Sequence, residues 1–131
     1  MADKFSAANA VIVLLLILSA DLTLVFLGSE NQYLSLFLVF MTGCISFAVV
    51  APIQMLVIQT ATGAEMIASA AIQASFNIGN ALGAFLGGLP LVAGYSYASP
   101  NLIGIAMSLI GAGITLILIL RKRKTAMVPV I

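Results

Sequence analysis

Polar positions are scarce along this chain, and where they cluster they divide it into four apolar runs. The first, 9–27, closes on the turn Gly28-Ser29-Glu30-Asn31; the second, 33–58, stops in Gln59-Thr60-Ala61-Thr62-Gly63. The third, 66–93, is broken by Gly94-Tyr95-Ser96-Tyr97-Ala98-Ser99-Pro100-Asn101, and the fourth, 102–120, ends in Arg121-Lys122-Arg123-Lys124. Gly, Ser and Pro at these joints are the residues that punctuate helices. As helix, each run reaches about 28 to 42 Å, against a hydrocarbon layer of ~30 Å. A membrane barrel would instead alternate polar and apolar residues over strands of about 10 residues. Continuous runs rich in Leu, Ala and Ile suit helices, which satisfy their own backbone hydrogen bonds in lipid. The pattern predicts an all-α membrane protein with four transmembrane helices in a single region, 1–131, and a basic tail at 121–131.

Composition agrees and removes several chemistries. Hydrophobic residues make up 63% of the chain and charged ones 7%, against roughly 25% charged in an average globular protein. Nine charged side chains cannot cover the surface of a water-soluble fold of this size. There is no His, and the single Cys44 sits in an apolar run, so a His/Cys metal site, a disulfide framework and an imidazole-activated nucleophile are all excluded. No catalytic residue, metal or cofactor is expected, and the chain does not read as an enzyme. A net charge of +1 with most cations in one tail offers nucleic acid no basic groove.

The charges also set an orientation. Lys4 precedes the first run and the other four cations follow the last, so an even number of spans places all of them on one face, the cytoplasmic one by the positive-inside bias. Tyr33, Tyr95 and Tyr97 then fall at the opposite interface. The expectation is a multi-pass inner (plasma) membrane protein with both termini cytoplasmic. Signal-peptide cleavage after Ser19-Ala20 is not expected, because Leu18 is large where a small residue is wanted and the apolar run resumes at Leu22.

The third run carries the most information. Ser75, Gly79, Gly83 and Gly87 recur every four residues and form one slowly drifting ridge of small side chains, along which another helix can approach closely. Gly104 and Ser108 begin a shorter stripe on the fourth run. These small residues read as helix-packing positions. Gln73, Asn77 and Asn80, spaced by four and three, share another face of the third helix. Carboxamides are costly against lipid, so they either hydrogen-bond neighbouring helices or line a wet cavity. On the second run Pro52 removes a backbone donor and predicts a kink near Ala48, with Gln54 just beyond it. Where such a cavity is present, Gln54, Gln73, Asn77 and Asn80 are the candidate substrate-pathway positions. Asp21 lies six residues, about 9 Å, inside the first span. An ionisable group there is a functional candidate by default: with no basic residue of this chain at that depth, it is protonated, reaches the outer interface or pairs with something outside the chain, and proton coupling is its candidate role. Glu65 reads as an acid at a helix start.

The segment from Pro52-Ile53-Gln54 through Gly63-Ala64 to Ser75-Phe76-Asn77-Ile78-Gly79-Asn80-Ala81-Leu82-Gly83-Ala84-Phe85-Leu86-Gly87-Gly88 resembles the tenth and eleventh helices of bacterial major facilitator superfamily exporters, in the arabinose-efflux-permease-like branch of drug/proton antiporters. Ala2-Asp3-Lys4 resembles the end of that family's loop between helices eight and nine, and the basic tail its cytoplasmic C-terminus. The resemblance implies that the four spans correspond to helices nine to twelve. It implies the C-terminal part of a proton-coupled small-molecule exporter, of unspecified substrate, that does not transport alone. Its partners would then be the lipid bilayer and either the missing transporter helices or a second copy. The alternative is a self-sufficient four-helix transporter of the small multidrug type, acting as an oligomer.

Overall fold

The structure, a computed structural model, describes the backbone of residues 2–126 and the side chains of 7–121. The end of the basic tail, 127–131, lies outside the described residues, as do the side chains of Lys4, Lys122, Arg123 and Lys124. Four helices follow one another: α1 (Ala2–Leu27), α2 (Gln32–Thr60), α3 (Glu65–Val92) and α4 (Pro100–Ala126). All four are long and apolar enough to cross a membrane, and there is no strand among the described residues. Among the described residues the protein is all-helical, with the build of a multi-pass membrane protein.

The joints follow from local chemistry. Asn31 caps α2, its side chain accepting from the Leu34 N–H at 3.2 Å, and Ser35 Oγ donates to the Gly28 carbonyl at 3.1 Å. At the far end of α3, Gly94 takes φ +83°, donates to the Leu91 carbonyl and lets Tyr95 N–H reach the Pro90 carbonyl. That pair of bonds is a Schellman closure, which a Gly in left-handed backbone permits. Pro100 then opens α4, where a missing N–H costs nothing. Between α2 and α3, Gly63 has φ +84° and its N–H donates to Glu65 Oε1 at 2.9 Å. A Cβ there would meet nothing within 4 Å, so the demand is purely one of backbone. Gly63→Ala is expected to cost about 1 kcal/mol, read as a lowered midpoint in a denaturation of the helical circular dichroism signal.

Two helices extend beyond the apolar runs read from the sequence. The basic run does not end the last helix, because α4 continues through it to Ala126. Lys and Arg are good helix formers and sit favourably at a helix C-terminus, so the helix outlasts the apolar span. Likewise α1 begins at Ala2 rather than at the first apolar residue. α2 runs unbroken through Pro52, and α3 through Pro90.

Packing is uneven. α1 is the spine, with extensive seams to α2 on one side and α4 on the other, while α3 touches only α2 and α4. The α1–α4 seam is antiparallel: Leu22 lies over Gly104 and Leu15 over Gly111, and Ser108 and Ala112 are buried. The α1–α2 seam buries Val25, Leu38 and Val49. In lipid two apolar helices gain little from hydrophobic association, so this close fit is what holds the bundle together. Hydroxyl groups are accommodated by donating back one turn: Thr23 to the Ser19 carbonyl, Ser108 to Ile105, Thr115 to Gly111.

Candidate functional site

α3 carries three carboxamides within its span, Gln73, Asn77 and Asn80, and its middle stands apart from the bundle. Ile72 is its one buried residue among those described, and every position from 77 to 85 is exposed. On a helix of ~100° per residue, Gly79 and Gly83 fall on the same side as Ile72 and Pro90, which are the less exposed positions. The glycine ridge therefore points across toward the other helices, yet a Cβ at either glycine would meet nothing within 4 Å. Only Gly87 finds a neighbour, Pro100, at 3.7 Å. Ser75 is exposed and donates to the Ala71 carbonyl at 2.8 Å. Half the stripe thus has no neighbour in contact with it.

Gln73, Asn77 and Asn80 share the adjoining flank of α3, and all three are exposed. Gln54 is half-buried on α2, on the side opposite Leu38 and Val49, the residues that meet α1. No hydrogen bond joins it to the three carboxamides. Left against lipid, such amides would each cost on the order of 1–3 kcal/mol. A carboxamide both donates and accepts, so a polar neutral group or another helix's backbone would satisfy them equally.

Gly104 and Ser108 are placed differently, on the α1–α4 seam. A Cβ on Gly104 would sit 2.9 Å from Leu22 Cδ1, and Ser108 is only 5% exposed. An apolar cleft of about 500 Å³ opens between α1, α2 and α4 at the end of the bundle that holds the chain termini. Val11, Leu15, Ile53, Leu56 and Leu118 are among its walls, and none of the substrate-pathway positions reaches it.

Asp21 is 7% exposed, on the α1–α2 seam. Thr42 Oγ1 lies 2.5 Å from its Oδ2 and also 3.0 Å from the Leu38 carbonyl oxygen. Sequence reasoning did not find Thr42. The signal was present in the hairpin itself: Leu34 packs on Gly28, a register that sets Asp21 opposite residues 41 and 42 on α2.

No protein-family model matches the chain, and no solved structure does. Over 106 residues, 81% of its length, the chain is 36% identical to inner membrane transport protein YdhP of Escherichia coli K12, and equally so to YdhP of E. coli O157:H7. Over 51 residues, 39% of its length, it is 45% identical to AraJ of E. coli K12, named as a candidate transporter. The matched regions span 26% of YdhP and 13% of AraJ, so the match covers only about a quarter or less of these relatives. Four membrane-length helices and this similarity together make it a multi-pass membrane protein related to bacterial inner-membrane transport proteins.

Proposed function

We propose that this chain is the C-terminal part, corresponding to helices nine to twelve, of a major facilitator superfamily exporter of small molecules. In this reading transport is proton-coupled, both termini are cytoplasmic, and further helices are required. One observation carries it: the free middle of α3, where three carboxamides and two uncovered ridge glycines sit at 73–83. A helix that completes its packing within four spans would hide such groups, as α1 hides Asp21 and α4 hides Ser108. In a transporter built from two halves, substrate sites form where the halves meet and irregular or polar positions line the cavity. Gln54, Gln73, Asn77 and Asn80 are the proposed pathway residues and Asp21 the proposed proton-coupling group.

The test is a replacement. The chain takes the place of the matching segment of YdhP, and extrusion of a panel of fluorescent small molecules is followed under an imposed pH gradient. The chimera is expected to reproduce whatever transport YdhP itself shows with the same panel, and the chain alone in proteoliposomes to show none. Proton-driven extrusion by the chain alone, abolished by Asp21→Asn, would overturn this in favour of a four-helix transporter acting as an oligomer.

A further inference from the structure

We infer that the cleft between α1, α2 and α4 seats an acyl chain of an anionic phospholipid, with the headgroup phosphate at the opposed positions Lys4 and Lys122. The α1–α4 register places those two lysines. Leu22 lies over Gly104 and Leu15 over Gly111, so the helices pass each other residue for residue in opposite directions. Both continue unbroken, α1 back to Ala2 and α4 on to Ala126. Lys4 is eleven residues before Leu15 and Lys122 eleven after Gly111, which sets the two lysine positions level. Both also fall on the seam side of their helices, since 4, 8, 11, 15 and 111, 115, 118, 122 advance by four and three. Like charges held level across a seam repel, and an anion between them removes that cost. The acids at this end, Asp3 and Glu65, are outnumbered by Lys4 and the run Arg121 to Lys124.

The cleft has the dimensions and chemistry of a lipid tail site. It runs from Ala8 to Leu15 on α1, Ile53 to Thr60 on α2 and Gly111 to Ile119 on α4, about 10 to 12 Å along the helices at ~1.5 Å per residue. That is most of one leaflet, which is half of a hydrocarbon layer of ~30 Å. α3 contributes no wall, and no wall residue carries a charge. The two hydroxyls, Thr60 and Thr115, give their hydrogens to carbonyls of their own helices. A polar solute would therefore find no hydroxyl hydrogen to accept, whereas a hydrocarbon chain needs none. The lysine positions stand just past the open end, Lys4 one turn beyond Ala8 and Lys122 one turn beyond Leu118. Apolar walls below two cations match a molecule with an apolar tail below an anion. A zwitterionic lipid would bring a further cation to the same place, and this selects the anionic class.

Native mass spectrometry reads the site on the full chain, released from neutral detergent after incubation with phosphatidylglycerol and phosphatidylcholine in equal amounts. With identical acyl chains on both lipids, phosphatidylglycerol should be retained with a preference of roughly tenfold or more, each nearby cation contributing about fivefold. Lys4→Gln with Lys122→Gln should bring that preference close to one. Arg121→Gln with Lys124→Gln removes the same charge from positions off the seam face and should preserve most of it. Val57→Phe adds bulk from a cleft wall that is itself exposed, and should lower retention of both lipids fivefold or more with the helical circular dichroism signal unchanged. Excess inorganic phosphate should displace nothing. Equal retention of the two lipids by the wild type, or equal effects of the two charge pairs, would overturn the proposal. So would displacement by phosphate, or full retention in Val57→Phe, since the cleft would then hold no tail. Dimers without lipid would give the cleft to a second copy, and lipid-free monomers would give it to a further helix; either result overturns the lipid. No transport is measured, so the exporter reading stands or falls separately.

Discussion

Gly104→Leu is expected to destabilise the bundle by about 2 kcal/mol or more, and Leu22→Ala in the same chain to recover much of that loss. The added Cβ alone would lie 2.9 Å from Leu22 Cδ1, closer than carbon atoms pack, and the remaining side-chain atoms must then force α1 and α4 apart. Overpacking of this kind typically costs about 1–3 kcal/mol. Replacing Gly by a strong helix former returns up to about 1 kcal/mol, so the net effect depends on the seam's inability to give. Leu22 is half-buried and its clashing atom is the end of a flexible side chain, so the Cβ alone is relieved by its turning aside, while the rest of an isobutyl group is not. The measurement is a denaturant titration of the helical signal in micelles on both single variants and the double. A coupling of 1 kcal/mol or more between positions 22 and 104 confirms direct contact, whereas simple additivity would place the α1–α4 seam elsewhere.

The same substitution on α3 should do the opposite. Gly79→Leu with Gly83→Leu is expected to leave the isolated chain as stable as before or slightly more so, since no atom lies within 4 Å of either added Cβ and each change removes a helix-interior glycine. In the chimera with YdhP, where the ridge is proposed to receive another helix, the two leucines should reduce transport tenfold or more. Close approach through small residues is what joins helices in lipid, and two isobutyl groups would hold the partner off. A destabilised isolated chain would show that the ridge is already occupied within it. An unaffected chimera would show that the ridge receives nothing.

Much of this arrangement was legible in the pattern of apolar runs. Each joint follows from residues with local jobs: Asn31 as a cap, Gly94 as a left-handed closure, Pro100 as a first helical residue. Those effects act over three to six residues and can be read one at a time. What could not be read was which neighbour each helix face meets. The stripes Gly79-Gly83 and Gly104-Ser108 look alike in sequence, yet one stands open and the other is packed on Leu22. The difference lies in pairing between spans, which small residues permit but do not select. Asp21 illustrates the same limit. Its depth marked it as unusual, while its partner Thr42 is fixed by the register of the α1–α2 hairpin, and a shift of one turn would have offered it Leu38 instead. The continuation of α4 through Arg121-Lys122-Arg123-Lys124 was missed for a separate reason: the end of an apolar span and the end of a helix are set by different forces.

The open middle of α3 is the claim on which the functional account stands, and spin-label mobility measures it most directly. In a Cys44→Ser background, labels placed singly at 79 and 83 are followed by electron paramagnetic resonance in bilayers at high lipid-to-protein ratio, with a label at the buried Ala112 as the immobile reference. The account predicts mobile spectra at 79 and 83 in the chain alone and immobilised spectra once the chain is built into the YdhP chimera. Immobilised labels in the chain alone would contradict it.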